Sequence, residues 1–398
     1  MIYKKPVPLS RFLGLNNKLD PMIGSASPDG KALTWEWQSQ ADNVDLSDAG
    51  RYRRRDGYQA FVSGSQITGS FSTFDFSRLY IIDGGTLKQV HADGSTTDLY
   101  AGLAGTAYWA EINDVVYLSC SEKLEIRKDG SVCRWGVPVP EGGRAVNASG
   151  RLAPGTYQVC FTFMDSRNRE GGAGPSIEVD VVDGGITLSE IPVLDGYVTL
   201  IYLAGKGTVF NFLVATTGTS YTYTGDYALG RELLTPFLDP PPAEAGYIAA
   251  FKARIYAAQY LPESNSTVIW QSEPMGYHLF GLNDSFLLVP GQVTQLAASE
   301  STLVICSETR TWLFDGSTLS DPVEYGAVPG QHADVGPDKK LYFWTTRGLC
   351  RAAPFENLTE SAVSVAPGLQ AGGGVVQRHG YVQYVAVLKS GGAAFNKR

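Results

Sequence analysis

The 398-residue sequence contains no run of about 18 apolar residues, so it offers no transmembrane helix. Long Ala/Leu/Glu/Lys stretches of helical period are also missing, which argues against a helical or coiled-coil protein. Histidine is scarce: there are four, His91, His278, His332 and His379, and no two stand at metal-ligand spacing. The five cysteines, Cys120, Cys133, Cys160, Cys306 and Cys350, form no C-x-x-C pair. They read as buried thiols of a protein made in a reducing cytoplasm, with Cys120 and Cys133 as the two that could face each other in one sheet. No G-x-S-x-G, no G-x-x-x-x-G-K-[ST] and no helix-opening G-x-G-x-x-G is present. Gly171-Gly172-Ala173-Gly174 and Gly372-Gly373-Gly374 read as turn or linker glycines, because no helical pattern follows them. After Met1-Ile2-Tyr3-Lys4-Lys5-Pro6 the sequence turns polar, so no signal peptide is expected. A net positive charge is lacking as well: 32 Lys and Arg against 40 Asp and Glu leave −8. That balance argues against a surface built to grip nucleic acid, and suits one that nucleic acid slides past.

What the chain does have is glycine, 45 residues, and abundant Tyr, Thr, Val and Phe, the composition of an all-β protein. A polar turn followed by strand-forming residues recurs at least six times. It reads Ser77-Arg78-Leu79-Tyr80, Asn113-Asp114-Val115-Val116-Tyr117, Lys252-Ala253-Arg254-Ile255-Tyr256, Glu300-Ser301-Thr302-Leu303-Val304, Asp338-Lys339-Lys340-Leu341-Tyr342 and Arg378-His379-Gly380-Tyr381-Val382. The steps between the last residues are 37, 139, 48, 38 and 40. A period of about 40–45 residues with several short strands per unit is the pattern of a β-propeller. The one long step marks a domain inserted between two blades.

Along the chain, residues 1–50 read as an extended arm broken by Gly14, Pro21, Gly24, Pro28 and Gly30. Residues 51–136 hold a strand over 52–62 and two blades, with hairpin turns at Asp83-Gly84-Gly85, Asp93-Gly94 and Asp129-Gly130. Between Pro138 and Pro240-Pro241-Pro242 the rhythm changes to about seven short strands, which predicts a β-sandwich over 137–242. Blades resume over 243–398. The last is incomplete, so the strand over 52–62 is expected to complete it and give six blades.

Candidate chemistry is thin. Propeller glycosidases pair carboxylates near the central channel, and Asp75, Asp83, Glu111, Glu273, Asp284, Asp315 and Asp334 are the acids that could lie there. Most stand in turns, where Asp serves the backbone, and the Asp-Gly turns lack the further acids of a calcium loop. No catalytic residue, cofactor or metal ligand is assigned, and the chain is read as a non-enzyme. The run Arg51-Tyr52-Arg53-Arg54-Arg55 stands out in an acidic chain as a partner contact or a charged edge strand.

The head residues Phe12-Leu13-Gly14-Leu15-Asn16, Asp20-Pro21, Ala41-Asp42-Asn43-Val44-Asp45 and Gly50-Arg51-Tyr52 through Tyr58 resemble the start of bacteriophage tail proteins. Lys252-Ala253-Arg254-Ile255-Tyr256, Val268-Ile269-Trp270-Gln271-Ser272-Glu273-Pro274, residues 286–292 and Thr311-Trp312-Leu313-Phe314-Asp315-Gly316 look like their propeller core. Gly155-Thr156-Tyr157-Gln158-Val159, Glu170-Gly171, Gly174-Pro175-Ser176, Ile201-Tyr202, Leu229-Gly230 and residues 233–235 look like a fibronectin-III-like domain of such proteins.

The family most similar is the tail nozzle (tail tube B) of short-tailed phages. The resemblance implies a virion structural protein with a propeller and an inserted platform-like domain. It implies a homo-hexameric ring below a dodecameric head-to-tail adaptor, carrying tail fibre, spike or needle proteins, with genomic DNA passing its lumen and no membrane anchor. The arm (Trp35, Trp37), the basic run (Arg51, Arg53, Arg54, Arg55) and the insert loop (Arg167, Arg169) are the expected subunit or partner contacts. Two other classes stay open. One is a different tail-tip or fibre-anchoring propeller, or a sugar-binding one using Trp109, Trp270 or Trp344. The other is a glycan-cleaving propeller with paired channel carboxylates.

Overall fold

A computed structural model describes residues 14–18, 37–38, 40–42, 44–46, 52–57, 59–205, 207–378 and 381–390. They are almost entirely antiparallel sheet and tight turn; among the described residues the one helical element is the 3-10 turn Pro262–Ser264. Among the described residues no helix is long and apolar enough to cross a membrane. The chain divides into two compact units, Gly64–Pro290 and a second made of Met1–Ser63 with Gly291–Arg398.

The Gly64–Pro290 unit carries three sheets and the insert. The first sheet runs Ile67–Ser72, Leu79–Asp83, Thr86–Val90, Thr96–Tyr100 in consecutive hairpins. The second repeats this with Tyr108–Ile112, Val115–Ser119, Lys123–Ile126, Val132–Arg134. The third runs Ile248–Phe251, Arg254–Leu261, Ser266–Glu273, and both Gly276–Phe280 and Phe286–Pro290 pair with Ser266–Glu273. These sheets pack face to face. Tyr80, Ile82 and Leu87 of the first meet Val116, Leu118, Leu124 and Ile126 of the second. Ala110 and Tyr117, with Trp135 just beyond, meet Ile248, Ile255, Ala257 and Phe280 of the third. Each Val, Leu, Ile or Phe side chain among these, once fully buried, stabilises the fold by about 1.5–3 kcal/mol.

The turns follow local chemistry. Asp93, Asp129 and Asp315 each open an Asp-Gly-Ser turn in which one carboxylate oxygen accepts from the backbone N–H and the hydroxyl of the serine two residues on. Asn113 and Asp114 supply the two positive φ angles (52° and 63°) of a two-residue hairpin.

The insert is a two-layer sandwich. Its smaller sheet has the order Arg144–Ser149, Gly184–Ser189, Tyr221–Tyr223, and its larger sheet Ile177–Val181, Gly155–Asp165, Tyr197–Gly205, Asn211–Thr216. Val159, Phe161, Val181, Ile186, Leu188, Ile201 and Leu203 from both layers form one core. Entry and exit cross at Gly136 and Pro241: a Cβ on Gly136 would lie 2.4 Å from the Pro241 ring, and Gly136 has φ +109°. Only glycine meets both demands.

The other unit has the sheet Val293–Ala298, Leu303–Ser307, Thr311–Phe314, Leu319–Val323 and the sheet Asp334–Val335, Leu341–Thr345, Gly348–Ala352, Glu356–Asn357. Val304 and Cys306 of the former pack on Leu341, Phe343 and Cys350 of the latter. The long hairpin Gln370–Arg378 with Tyr381–Lys389 forms the last sheet, joined by Gly330–Gln331 in parallel.

Here the structure departs from the sequence reading. Among the described residues the strand expected over 52–62 is limited to Tyr52–Arg54, and it pairs with Val44–Leu46 rather than with the C-terminal hairpin. From Gln59 to Ser63 the residues are mostly exposed, and an exposed segment has little reason to join a ladder. The cysteines, read from the sequence as thiols, are all free, with Cys160, Cys306 and Cys350 buried and Cys120 and Cys133 partly exposed.

Candidate functional site

The insert and the second sheet are joined through one buried carboxylate. The insert loop after Gly155–Asp165 is folded by Asp165, whose Oδ1 accepts from the backbone N–H groups of Arg167 and Arg169. Asp165 Oδ2 accepts from Arg169 Nε at 2.8 Å. This turn aims both guanidinium groups at Glu125 on Lys123–Ile126. Arg167 Nη1 donates to Oε1 at 3.1 Å and Arg169 Nη1 to Oε2 at 2.5 Å. Arg127 approaches Oε1 at 3.8 Å. The Glu125 side chain is 2% exposed. Arg169 holds the Asp165 carboxyl below the usual carboxylate range, against the upward push of burial.

Arg167 and Arg169 were expected at a partner interface. The structure turns them inward instead, because a carboxylate that deep is stable only with its charge matched.

The next residue continues the junction. Glu170 Oε1 accepts from the hydroxyls of Thr162 and Tyr202, and Oε2 from Arg231 Nη2. Burial, then the Glu170 hydrogen bond, push the Tyr202 phenol upward. His278 of the third sheet contacts the Glu170 backbone oxygen through Nε2 at 3.1 Å, and burial pushes its pKa down.

Beside this junction lies a groove of about 650 Å³. One wall is the segment that returns from the insert, with Leu233, Pro236, Phe237 and Leu238. It is held in place by Ala173 N–H to Thr235 O, by Thr235 Oγ1 to Gly171 O, and by the paired bonds of Asp239 with Phe280. Ala173, Gly174, Cys160 and Phe210 add apolar lining. Among the described residues three acids line it, Glu141, Glu232 and Asp239, and no Lys, Arg or His does. Asp239 is half-buried and desolvation raises its pKa; among the described residues its carboxylate has no hydrogen-bond or ionic partner. Burial pushes the Cys160 thiol up to about 12. Phe237 is 78% and Val209 54% exposed at the rim. The groove escaped the sequence reading because its acids stand alone in the sequence and meet only through the crossing of the insert's two ends.

The remaining expected contacts are scattered. Trp37 is half-buried, its ring over Gly14 in the parallel pair Gly14–Leu15 with Trp37–Gln38. Arg53 makes a local two-oxygen contact with Asp56, and Arg54 and Arg55 are exposed. Trp35 and Arg51 lie outside the described residues, as does His379.

The candidate channel acids are mostly committed. Asp75 takes the hydroxyls of Thr73 and Ser77, which lower its pKa. Asp83 serves Ser65, Gln66 and Lys88, and Asp334 takes Val375 N–H. Glu111 is buried 3.8 Å from Arg78 and accepts from Phe74 N–H, with burial raising its pKa.

The three tryptophans are packing residues: Trp109 stacks on Phe71, Trp270 meets Phe286 edge-on, and Trp344 is buried. Among the described residues no group of three or more His, Cys, Asp or Glu is placed to hold a metal ion.

No protein-family model matches the chain, and no curated protein matches it. Among solved structures it is similar to a protein from Lactobacillus plantarum, at 13% identity, covering 85% of this chain and 92% of that one, with a TM-score of 0.34. A putative 6-phosphogluconolactonase from Bacteroides uniformis is similar at 10% identity, 84% and 92% coverage and a TM-score of 0.33. Apo AztD from Citrobacter koseri follows at 12% identity, 75% and 87% coverage and a TM-score of 0.29. At such scores these likenesses decide neither the fold family nor the activity of this chain.

Proposed function

We propose that this chain is a structural assembly protein, a nozzle-type component of a short-tailed phage tail. In this reading the six sheets close into a six-bladed β-propeller and the insert is a fibronectin-III-like platform domain. The protein acts without catalysis, as a homo-hexameric ring that extends the DNA channel below the adaptor and supports fibres, spikes or needles. It is made in the host cytoplasm and resides in the virion tail.

The observation that carries the reading is the Glu125 junction. A buried carboxylate held by two arginines makes the insert a fixed bracket on the second sheet rather than a tethered module. A fixed bracket transmits load and sets partner geometry, as an assembly protein needs. Supporting it are the resemblance of the head, core and insert segments and the acidic net charge, which lets DNA pass without trapping it.

The test is electron microscopy of phage particles from the source lysate, labelled with antibody to this chain. Label at the tail below the head is expected. Absence of label from intact and disrupted particles alike would sink the reading.

A further inference from the structure

We propose that the groove beside the insert is a docking site for an extended partner segment in which lysine or arginine stands next to aromatic or aliphatic residues. The argument is charge and shape complementarity, and it does not depend on the tail reading. Glu141, Glu232 and Asp239 give the groove three negative charges with no cation among its lining residues. None of the three side-chain carboxylates has a hydrogen-bond or ionic partner among the described residues. For Asp239 this matters most, since a half-buried carboxylate without a partner carries a desolvation cost that a docked cation would offset.

The apolar half of the chemistry comes from Phe210, Leu233, Pro236 and Phe237. Phe237, 78% exposed, Val209, 54% exposed, and the neighbouring Leu234, 74% exposed, carry apolar surface beyond the rim. An enclosed small molecule would leave that surface wet. A chain-like occupant would cover it while placing a cationic head over Asp239, with its alkyl stem along the wall. An acidic segment would meet three like charges and a purely apolar one would cover the half-buried Asp239 without matching its charge, so the groove selects against both.

The test uses the purified full chain and a random twelve-residue peptide library as probe. Enriched peptides are synthesised and their affinities measured by fluorescence anisotropy. The expected binders pair Lys or Arg with an aromatic or aliphatic neighbour, and weaken as salt rises. Asp239→Asn and Phe237→Ser are each expected to weaken them about tenfold. Phe237 is largely exposed and Asn matches the shape of Asp at position 239, so unchanged thermal melting will show that the variants are folded. An Asp98→Asn variant on the exposed edge strand of the first sheet, which does not line the groove, serves as control and should bind normally. No enrichment, enrichment of acidic or uncharged peptides, or affinities that ignore both groove variants would overturn the proposal.

Discussion

Glu125 on the second sheet and Arg169 in the insert loop are 44 residues apart in sequence and share a charge-assisted hydrogen bond of 2.5 Å. With Arg167 on the other oxygen, this carboxylate ties the insert loop to the second sheet. The pair is largely desolvated, so its value lies less in net attraction than in the cost of breaking it.

Replacing Glu125 with Ala leaves two mostly buried guanidinium groups without their anion. The expected loss is about 3–5 kcal/mol. Urea unfolding should show an earlier first transition, and limited proteolysis should cut near residues 138–143 sooner than in the wild type. An unchanged midpoint and cleavage pattern would mean that the junction does not hold the insert.

His332 predicts an acid-side loss of stability. It is fully buried, and its Nδ1 accepts from Trp344 N–H, so the proton sits on Nε2 and donates to Val328 O. Burial lowers its pKa to about 4 from the ordinary 6.5. A base depressed in the folded state binds its proton first in the unfolded state. Its stabilising contribution is therefore complete above pH 6.5 and lost as pH falls from there toward about 4, by about 3 kcal/mol. His332→Gln should flatten that part of the stability profile, measured by urea midpoints from pH 7 to pH 4.5. An equally steep profile in the variant would place the acid sensitivity elsewhere.

Thiol reactivity should separate the cysteines into two sets. Burial pushes Cys160 and Cys306 up to about 12 and Cys350 up to about 11. Cys120 and Cys133 are partly exposed. In native protein a thiol-reactive chromophore should titrate no more than these two quickly; in denaturant it should titrate all five without added reductant. Rapid reaction of more than two native thiols would contradict the packing described here.

Gly136→Ala should cost about 2–4 kcal/mol, because it combines a Cβ clash with the Pro241 ring and a left-handed backbone that alanine adopts poorly. Thermal melting checks it. A shift within experimental error would show that the crossing of the insert's ends can relax.

Much of the architecture was readable in advance. The Asp-Gly turns at 93, 129 and 315 ended strands where expected, because Asp captures its own turn within three residues and needs no distant partner. The change of strand rhythm after Pro138 coincides with two sheets whose strands, from Arg144 to Tyr223, pair only with one another. Arg167 and Arg169 were noticed, but their destination was not. A solvent-facing arginine pair and a pair aimed at a buried acid on another sheet share one local sequence. The expected closing strand over 52–62 failed for a related reason: strand propensity says that a segment can pair, and only packing says with what.

By itself, then, the sequence determined the abundance of short strands, the turns, the change of strand rhythm after Pro138 and the acidic balance, all properties set by contacts within a few residues or by composition. Tertiary structure alone decided that Glu125 faces two arginines, that His332 is sealed in as a neutral base, and that Glu141, Glu232 and Asp239 line one apolar groove. The physical reason is range. Hydrogen-bonded turns close locally, whereas charge matching and desolvation depend on which distant side chains the packed sheets bring together.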